Sequence, residues 1–283
     1  MSSIWRPVRE RAPARSLMVV VAHPGDESFG FGGAIASAAA EGAYVVVVCA
    51  TRGWYDTRLA EKSPAPGGKN RDLKDGPVTW RNLDTVREDE LRRSVAVLGV
   101  RVVRMLDYAE GELDRADFDH LVGRIVEPIR MHRPEVILTF GPDGVTGDTD
   151  HVVLSRAVDL AYTRAAEPLT YEDDLEEDQV AWRAAKLYHL VVRRSDLAVL
   201  GDRAPRDYGS TDEASVAVEL GDLAQLKLAA ISRHVSQTGS AGPFHDWEPA
   251  ARDAYLATEH YRLAASALPA DADEGRNLFD GLV

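Results

Sequence analysis

Short apolar runs, rich in β-branched residues and bounded by turn residues, recur through the first half of the chain. Runs of this length predict buried strands, because both faces of such a strand are apolar and the flanking residues favour turns. The first four runs are residues 17–22, 44–50, 100–106 and 136–140. A later run, residues 186–192, predicts a further strand.

The segments between these runs have helical spacing or helix-favouring composition. Residues 32–41 are rich in alanine, and residues 118–131 repeat Leu121, Ile125 and Ile129 on one helical face. Further helices are predicted over residues 85–98 and 223–236. Strands that alternate with helices form right-handed crossovers, so we expect an α/β fold with a mostly parallel, Rossmann-like sheet flanked by helices. Ligands of such sheets bind at the carboxyl ends of the strands, where we expect the active site.

Two stretches, residues 54–80 and 171–179, break this alternation and are predicted to be surface loops. The first follows the second strand on the expected active face, where it could cover a substrate or be a plain insertion. The second reads YEDDLEEDQ, which is more typical of a solvated segment than of a metal site. Because no linker or repeat interrupts residues 1–283, we expect a single domain.

The composition favours small-molecule chemistry. The formal net charge of −13 and the pI near 5.1 argue against binding to nucleic acids or anionic membranes, which recruit an excess of Lys and Arg. A homo-oligomer is possible. The single cysteine, Cys49, lies in an apolar run, where a small buried side chain is expected. No signal peptide or membrane span is evident, so we expect a cytoplasmic protein.

Candidate ligands follow the first strand. His23 and Asp26 lie three residues apart in AHPGDES, and Pro24 and Gly25 favour a tight turn between them. Both side chains can therefore face one point above the sheet. A histidine at a strand end can also be hydrogen-bonded in the core, and Asp26 can instead cap the next helix.

A second set of candidates follows the fourth strand, in GPDGVTGDTDH. His151 lies near a predicted helix start, and Asp148 and Asp150 precede it as either caps or reactive carboxylates. Because both sets lie at the same end of a parallel sheet, His23, Asp26 and His151 can hold one divalent metal. Two imidazoles and one carboxylate leave a position for water, as in catalytic zinc sites, although other first-row ions also suit this set.

The two motifs together resemble those of the LmbE-like, or PIG-L, superfamily of zinc-dependent de-N-acetylases. An AHPDDE-like motif follows strand one, and a GHPDH-like motif follows strand four. The resemblance continues in VREDELRRSVAVLGV and in LDYAEGEL. Near the end of the chain, Lys227, His234, Ser236 and Gln237 match the family's Lys and His-x-Ser-Gln pattern.

This resemblance implies that His23, Asp26 and His151 are the metal ligands and that Zn²⁺ is the cofactor. It also reveals three departures. The family's general base, an Asp that precedes the metal-binding Asp, is replaced by Gly25. The His that begins the second motif is replaced by Asp148, and Thr146 stands where some relatives have Tyr.

Four interpretations of these departures remain open. In the first, Asp148 has become the base of a hydrolase that acts on an N-acyl amino sugar or a natural-product amide. In the second, the metal scaffold serves another reaction of specialised metabolism, such as a lyase or isomerase reaction. In the third, Gly25 is an engineered change that traps substrate, and in the fourth, the protein binds a ligand without catalysis, which the intact ligand set argues against.

Other residues are weaker candidates. Asp148 and Asp150 are the expected catalytic carboxylates, and Arg52 and Arg87 are the expected contacts to the substrate. Arg52 can equally be a surface residue, and Arg87 can stiffen the site through an ion pair. Further candidates for the rim or lining of the pocket are Tyr108, Glu110, His234, Gln237, Trp54 and Trp247.

Overall fold

A computed structural model of the chain describes residues 15–53, 82–145, 147–171, 180–193, 213–238, 244–245, 247–269 and 275–282. Both predicted loops lie outside these residues, except for Tyr171 at the edge of the second loop. Trp54 and Thr146 also lie outside them. Within the described ranges, no helix is long and apolar enough to cross a membrane.

Seven strands form one sheet in the order β3-β2-β1-β4-β5-β7-β6. The first five strands are parallel, and β7 runs antiparallel to both β5 and β6. The strands are β1 Ser16–Val21, β2 Tyr44–Thr51, β3 Val102–Tyr108, β4 Val136–Phe140, β5 Lys186–Val191, β6 Val216–Glu219 and β7 Thr258–Ser266. The α/β fold with a mostly parallel sheet is thereby confirmed.

Helices cover both faces of the sheet. The α-helices of the described residues are α1 Asp26–Phe29, α2 Gly32–Ala40, α3 Leu83–Leu98, α4 Phe118–His132, α5 Thr149–Arg164, α6 Ala224–Ile231, α7 Val235–Thr238 and α8 Pro249–Ala257. The helix predicted over residues 223–236 is divided into α6 and α7 by a turn. The other predicted helices agree with the observed ones to within two residues at each end.

The order of the strands determines where the site lies. The chain passes from β1 outward to β2 and β3, and then returns to place β4 on the other side of β1. The carboxyl ends of β1 and β4 are therefore neighbours at the point where the order reverses, which is the usual ligand site of an open parallel sheet. The predicted ligand motifs follow these two strands.

The central strands are buried on both faces, which explains their uninterrupted apolar sequences. Every residue of β1 and β4 is buried, and in β2 only Tyr44 is partly exposed. Cys49 of β2 is fully buried, and burial raises the pKa of its thiol well above the usual value. This environment agrees with the expected packing role of Cys49.

Candidate metal centre

The turn after β1 is fixed by a buried carboxylate. Glu27 accepts a hydrogen bond from the backbone nitrogen of Gly25 at 2.7 Å through Oε2. Its Oε1 accepts from Ser94 Oγ at 2.6 Å and contacts His234 Nε2 at 2.7 Å. Gly25 has a φ of 113°, which few residues other than glycine adopt. The turn places His23 and Asp26 side by side at the end of the strand.

The imidazole of His151 is oriented by its neighbours on β4 and on the following loop. Its ring stacks on Phe140 with centroids 3.9 Å apart and planes 6° from parallel. Nδ1 lies 3.0 Å from the carbonyl oxygen of Gly144, an acceptor that requires a proton on Nδ1. The lone pair of the neutral ring is then on Nε2, which faces the other candidate ligands.

The imidazole of His23 is oriented by Asp150. Its Nε2 lies 3.1 Å from Oδ2 of Asp150 and donates a proton to it, which leaves Nδ1 as the nitrogen that can bind a metal once it is deprotonated. Asp150 is itself buried, and its carboxylate accepts hydrogen bonds from the backbone nitrogens of Gly111 at 2.6 Å and Leu113 at 3.1 Å. The loop after β3 thus fixes Asp150, which in turn orients His23.

Three ligand atoms converge with the spacing that a small metal ion requires. His23 Nδ1 lies 3.2 Å from His151 Nε2, and Asp26 Oδ2 lies 3.6 and 3.3 Å from these two nitrogens, respectively. Ligands bound at about 2.0–2.1 Å to a tetrahedral zinc ion lie about 3.4 Å apart. The spacing of the three donor atoms therefore matches that of ligands around zinc, and Oδ2 of Asp26 also accepts a hydrogen bond from the backbone nitrogen of His23 at 2.7 Å. Assignment of these residues as the ligands stays a prediction.

The charges around this point favour a bound cation. Burial alone lowers the pKa of His23, but the hydrogen bond with Asp150 and the charge of Asp26 outweigh it and raise that pKa to about 9, so a metal ion that binds Nδ1 displaces its proton. Burial alone raises the pKa of Asp26, but the neighbouring His151 and His23 hold it below its usual value. A carboxylate that stays ionised beside two imidazoles is suited to a dication.

Asp148 also reaches this cluster. His23, Asp148 and His151 each offer a ligand atom, and these atoms lie within 4.8 Å of one another. Asp148 is exposed and caps α5, because its Oδ1 accepts from the backbone nitrogens of Asp150 at 2.8 Å and His151 at 3.2 Å. Asp148 therefore caps α5, and its role as a reactive carboxylate stays a prediction.

The two arginines predicted to contact substrate form ion pairs. Arg87 is buried and donates to Glu110 at 2.6 Å and to the carbonyl oxygen of Gly53 at 3.1 Å. Arg52 is partly exposed and pairs with Glu88 at 2.7 Å and with Asp107 at 2.5 Å. Arg87 therefore links the loop after β2 to the loop after β3. Contact of either arginine with a substrate stays a prediction.

Several other candidate residues from the sequence analysis pair with or pack against their neighbours. Lys227 is buried and pairs with Glu259 at 2.8 Å, and that glutamate accepts from the first backbone nitrogens of α2. Trp247 packs edge-on against Phe244 and Tyr255, and Tyr108 contacts His120 near the surface. The supporting roles of Glu27 and Ser94 are absent from the sequence-based predictions, because buried polar partners far apart in sequence leave no local pattern.

Known proteins resemble this chain in sequence and in fold. A profile of the PIG-L family, described as GlcNAc-PI de-N-acetylase, matches residues 18–162. The chain belongs to the PIG-L family. The matched region runs from β1 to α5 and so contains both ligand motifs.

Relatives of this PIG-L protein extend the likeness over most of the chain. A 1D-myo-inositol 2-acetamido-2-deoxy-alpha-D-glucopyranoside deacetylase from Geodermatophilus obscurus is 30% identical over 286 residues, which cover 89% of this chain and 92% of the relative. Among solved structures, the N,N'-diacetylchitobiose deacetylase of Pyrococcus horikoshii has the same fold as this protein, with a TM-score of 0.65 and 20% identity. The match covers 88% of this chain and 83% of the deacetylase.

A second solved structure shows that this fold occurs in proteins of another activity. GalB, the 4-carboxy-2-hydroxymuconate hydratase of Pseudomonas putida, has a TM-score of 0.62 and 17% identity, with coverage of 92% of this PIG-L protein and 100% of the hydratase. Since fold does not imply function, the reaction must be argued from the site.

Proposed function

We propose that this protein is a zinc-dependent de-N-acetylase that acts on an N-acetylated amino sugar. The observation that carries the proposal is the convergence of His23 Nδ1, Asp26 Oδ2 and His151 Nε2 at mutual distances of 3.2–3.6 Å. The names of the relatives support the substrate class, because the similar deacetylases remove acetyl groups from glucosamine derivatives.

Each residue near the metal position has a distinct task in this proposal. His23, Asp26 and His151 hold the ion, and Asp150 keeps the imidazole of His23 in the tautomer that can bind it. A zinc ion bound there lowers the pKa of water toward neutrality and polarises the acetyl carbonyl.

Asp148 is the proton acceptor in this proposal. Its carboxylate has a ligand atom within 4.8 Å of those of His23 and His151, so it is placed to take the proton of the attacking water. The carboxylate then returns the proton to the nitrogen of the leaving amine, as general acid–base groups do in both halves of a hydrolysis. Asp148 thereby replaces the family carboxylate that is missing at Gly25.

The experiment that tests this function combines metal analysis with an acetate-release assay. The purified chain is loaded with zinc and assayed on N-acetylglucosaminyl-inositol, on N,N'-diacetylchitobiose and on N-acetylglucosamine. We expect one zinc ion per chain and acetate release from at least one substrate, both lost together after chelation and restored by added zinc. A fully metal-loaded chain that releases no acetate from any of the three would overturn the proposal and favour another reaction at this site.

A further inference from the structure

Four aromatic side chains form one cluster beside the helix that carries Asp26. Phe29 of α1 lies edge-on to Phe244, with ring centroids 6.5 Å apart. The ring of Phe244 also contacts those of Trp247 at 4.9 Å and Tyr255 at 5.3 Å, and these last two rings are 5.6 Å apart. Edge-to-face and tilted pairs at these distances attract each other, so the four rings form a continuous surface, which we call the aromatic wall.

Hydrogen bonds and a cation hold the aromatic wall in place. Tyr255 donates from its hydroxyl group to the carbonyl oxygen of Phe29 at 2.6 Å. The ammonium group of Lys227 lies 4.5 Å from the centre of the Tyr255 ring. The backbone nitrogen of Trp247 donates to the carbonyl oxygen of Phe244 at 3.0 Å. The wall therefore has a fixed arrangement between α1, α6 and α8.

The aromatic wall lies at the same edge of the sheet as the predicted metal ligands. Asp26 and Phe29 are three residues apart in α1, a spacing that places two side chains on one face of a helix. Gly30 follows Phe29 and lies so close to Leu190 that a Cβ atom at position 30 would be 2.8 Å from Cδ2 of Leu190. Leu190 is near the carboxyl end of β5, the neighbour of β4. The wall thus continues the carboxyl edge sideways from the metal position.

The aromatic wall differs from a core cluster in its exposure and in its backbone. All four of its residues are partly exposed, whereas the neighbouring rings of Phe31 and Tyr261 are fully buried. Phe244 has a φ of 65°, in the left-handed region that bulky residues rarely adopt. Backbone strain of this kind is concentrated at binding and catalytic sites. Both features are typical of a surface that receives a ligand.

We propose that the aromatic wall is a subsite for the second ring of a two-ring substrate, the uncharged cyclitol or sugar that is linked to the N-acetylated glucosamine. The acetyl group must lie at the metal, so the ring that bears it lies beside Asp26 and the next ring reaches the wall. The C–H face of a cyclitol or sugar ring is apolar and can pack on aromatic side chains. This inference rests on the proposed deacetylase function.

The charge of the aromatic wall favours an uncharged ring over a phosphate or carboxylate group. Lys227, the cation that contacts Tyr255, is buried and pairs with Glu259 at 2.8 Å. Its charge is therefore neutralised within the protein. The ring faces of the wall carry partial negative charge, which attracts C–H groups and not anions.

The subsite is tested by calorimetry on zinc-loaded protein, with ligands that lack an acetyl group and so cannot be deacetylated. The ligands are glucosamine, glucosaminyl-inositol and chitobiose. We expect at least one two-ring ligand to bind more tightly than glucosamine. Trp247→Leu should weaken the binding of that ligand about tenfold, the effect of one aromatic contact, and the binding of glucosamine much less. The two-ring ligand that shows the loss identifies the second ring as a cyclitol or a sugar.

Three further variants separate a binding role from a structural one. Trp247→Phe keeps an aromatic ring and should restore most of the affinity. Phe244→Leu provides an independent comparison, with the same expected loss for the two-ring ligand. The matched control is Trp182→Leu, because Trp182 is also partly exposed but donates to the carbonyl oxygen of Pro134, before the amino end of β4. It should lower the melting temperature without a change in the ratio of the two affinities.

The outcomes separate this inference from the proposed function. Two-ring ligands that bind the original protein no more tightly than glucosamine would overturn the subsite. Equal losses for one-ring and two-ring ligands in Trp247→Leu and Phe244→Leu would do the same. Because calorimetry does not depend on turnover, a zinc-loaded protein that releases no acetate would overturn the deacetylase function alone, and the binding data would still decide the subsite.

Discussion

Oδ2 of Asp150 lies 3.1 Å from Nε2 of His23 and 2.6 Å from the backbone nitrogen of Gly111. One oxygen thus connects a predicted metal ligand to the loop after β3. Asp150 is buried behind the imidazole, so its contacts suit a positioning residue better than a group that touches the substrate.

We therefore predict that Asp150→Asn weakens zinc binding by about 10–100-fold, because a neutral amide does not favour the metal-binding tautomer of His23 as a carboxylate does. Competition with a chelator of known affinity measures the change. The exposed Asp114→Asn, in the same loop region as Gly111, is the matched control and should bind zinc normally. An Asp150→Asn protein with unaltered zinc affinity would show that the contact does not tune the site.

Removal of either imidazole should abolish stoichiometric metal binding. We predict that His23→Ala and His151→Ala each retain far less than one zinc ion per chain, because two remaining protein ligands bind zinc poorly. Elemental analysis of dialysed protein provides the measurement, with the exposed His245→Ala as a control for a non-specific loss. Retention of one zinc ion by both variants would show that these histidines are structural.

The sequence predicts the fold and the place of the site well, because both depend on local patterns. The buried strands β1 and β4 are largely apolar runs, and each ligand motif lies in the loop or helix start that directly follows its strand. Because β1 and β4 are adjacent parallel strands, the motifs that follow them meet at the same edge of the sheet.

The sequence pattern does not predict that Asp148 and Asp150 have different roles. Both residues precede the same helix, yet Asp148 caps it at the surface and Asp150 turns inward to His23. Likewise, the helical pattern over residues 223–236 gives no sign of the turn that separates α6 from α7. That turn directs His234 to Glu27, a partner 207 positions away, so only the tertiary structure reveals it.

His132 should make stability depend on pH. Burial, together with the charge of Arg104, lowers the pKa of His132 to about 4, whereas an unfolded histidine has a pKa near 6.5. Between these pH values His132 is protonated in the unfolded chain but neutral in the folded protein. Stability contributed by His132 is therefore complete above about pH 6.5 and is lost as the pH falls toward 4.

We accordingly predict that His132→Gln melts with a weaker pH dependence than the original protein between about pH 6.5 and 4. The difference between the two melting curves, measured at several pH values, removes the contribution of the carboxylates that both proteins share. His245→Gln serves as the exposed control. Parallel melting temperatures for His132→Gln and the original protein across this range would contradict the prediction.

Asp148 offers three separable roles, as helix cap, proton acceptor and fourth metal ligand. Asp148→Asn retains much of the capping ability, since Asn and Asp rank equally at helix N-caps, but the amide cannot accept the proton. If Asp148 is the proton acceptor, we expect Asp148→Asn to keep its zinc and its melting temperature while kcat falls about 10²–10⁴-fold. Loss of zinc would identify Asp148 as a ligand instead, and full zinc content with unchanged turnover would leave it as a cap alone.

Asp148→Ala completes the comparison. This variant should also lose the cap, which lowers the free energy of unfolding by about 1 kcal/mol and therefore lowers the melting temperature. Its turnover should be no lower than that of Asp148→Asn. Zinc content, melting temperature and kcat, measured on the same preparations, therefore assign the role without reference to any other residue.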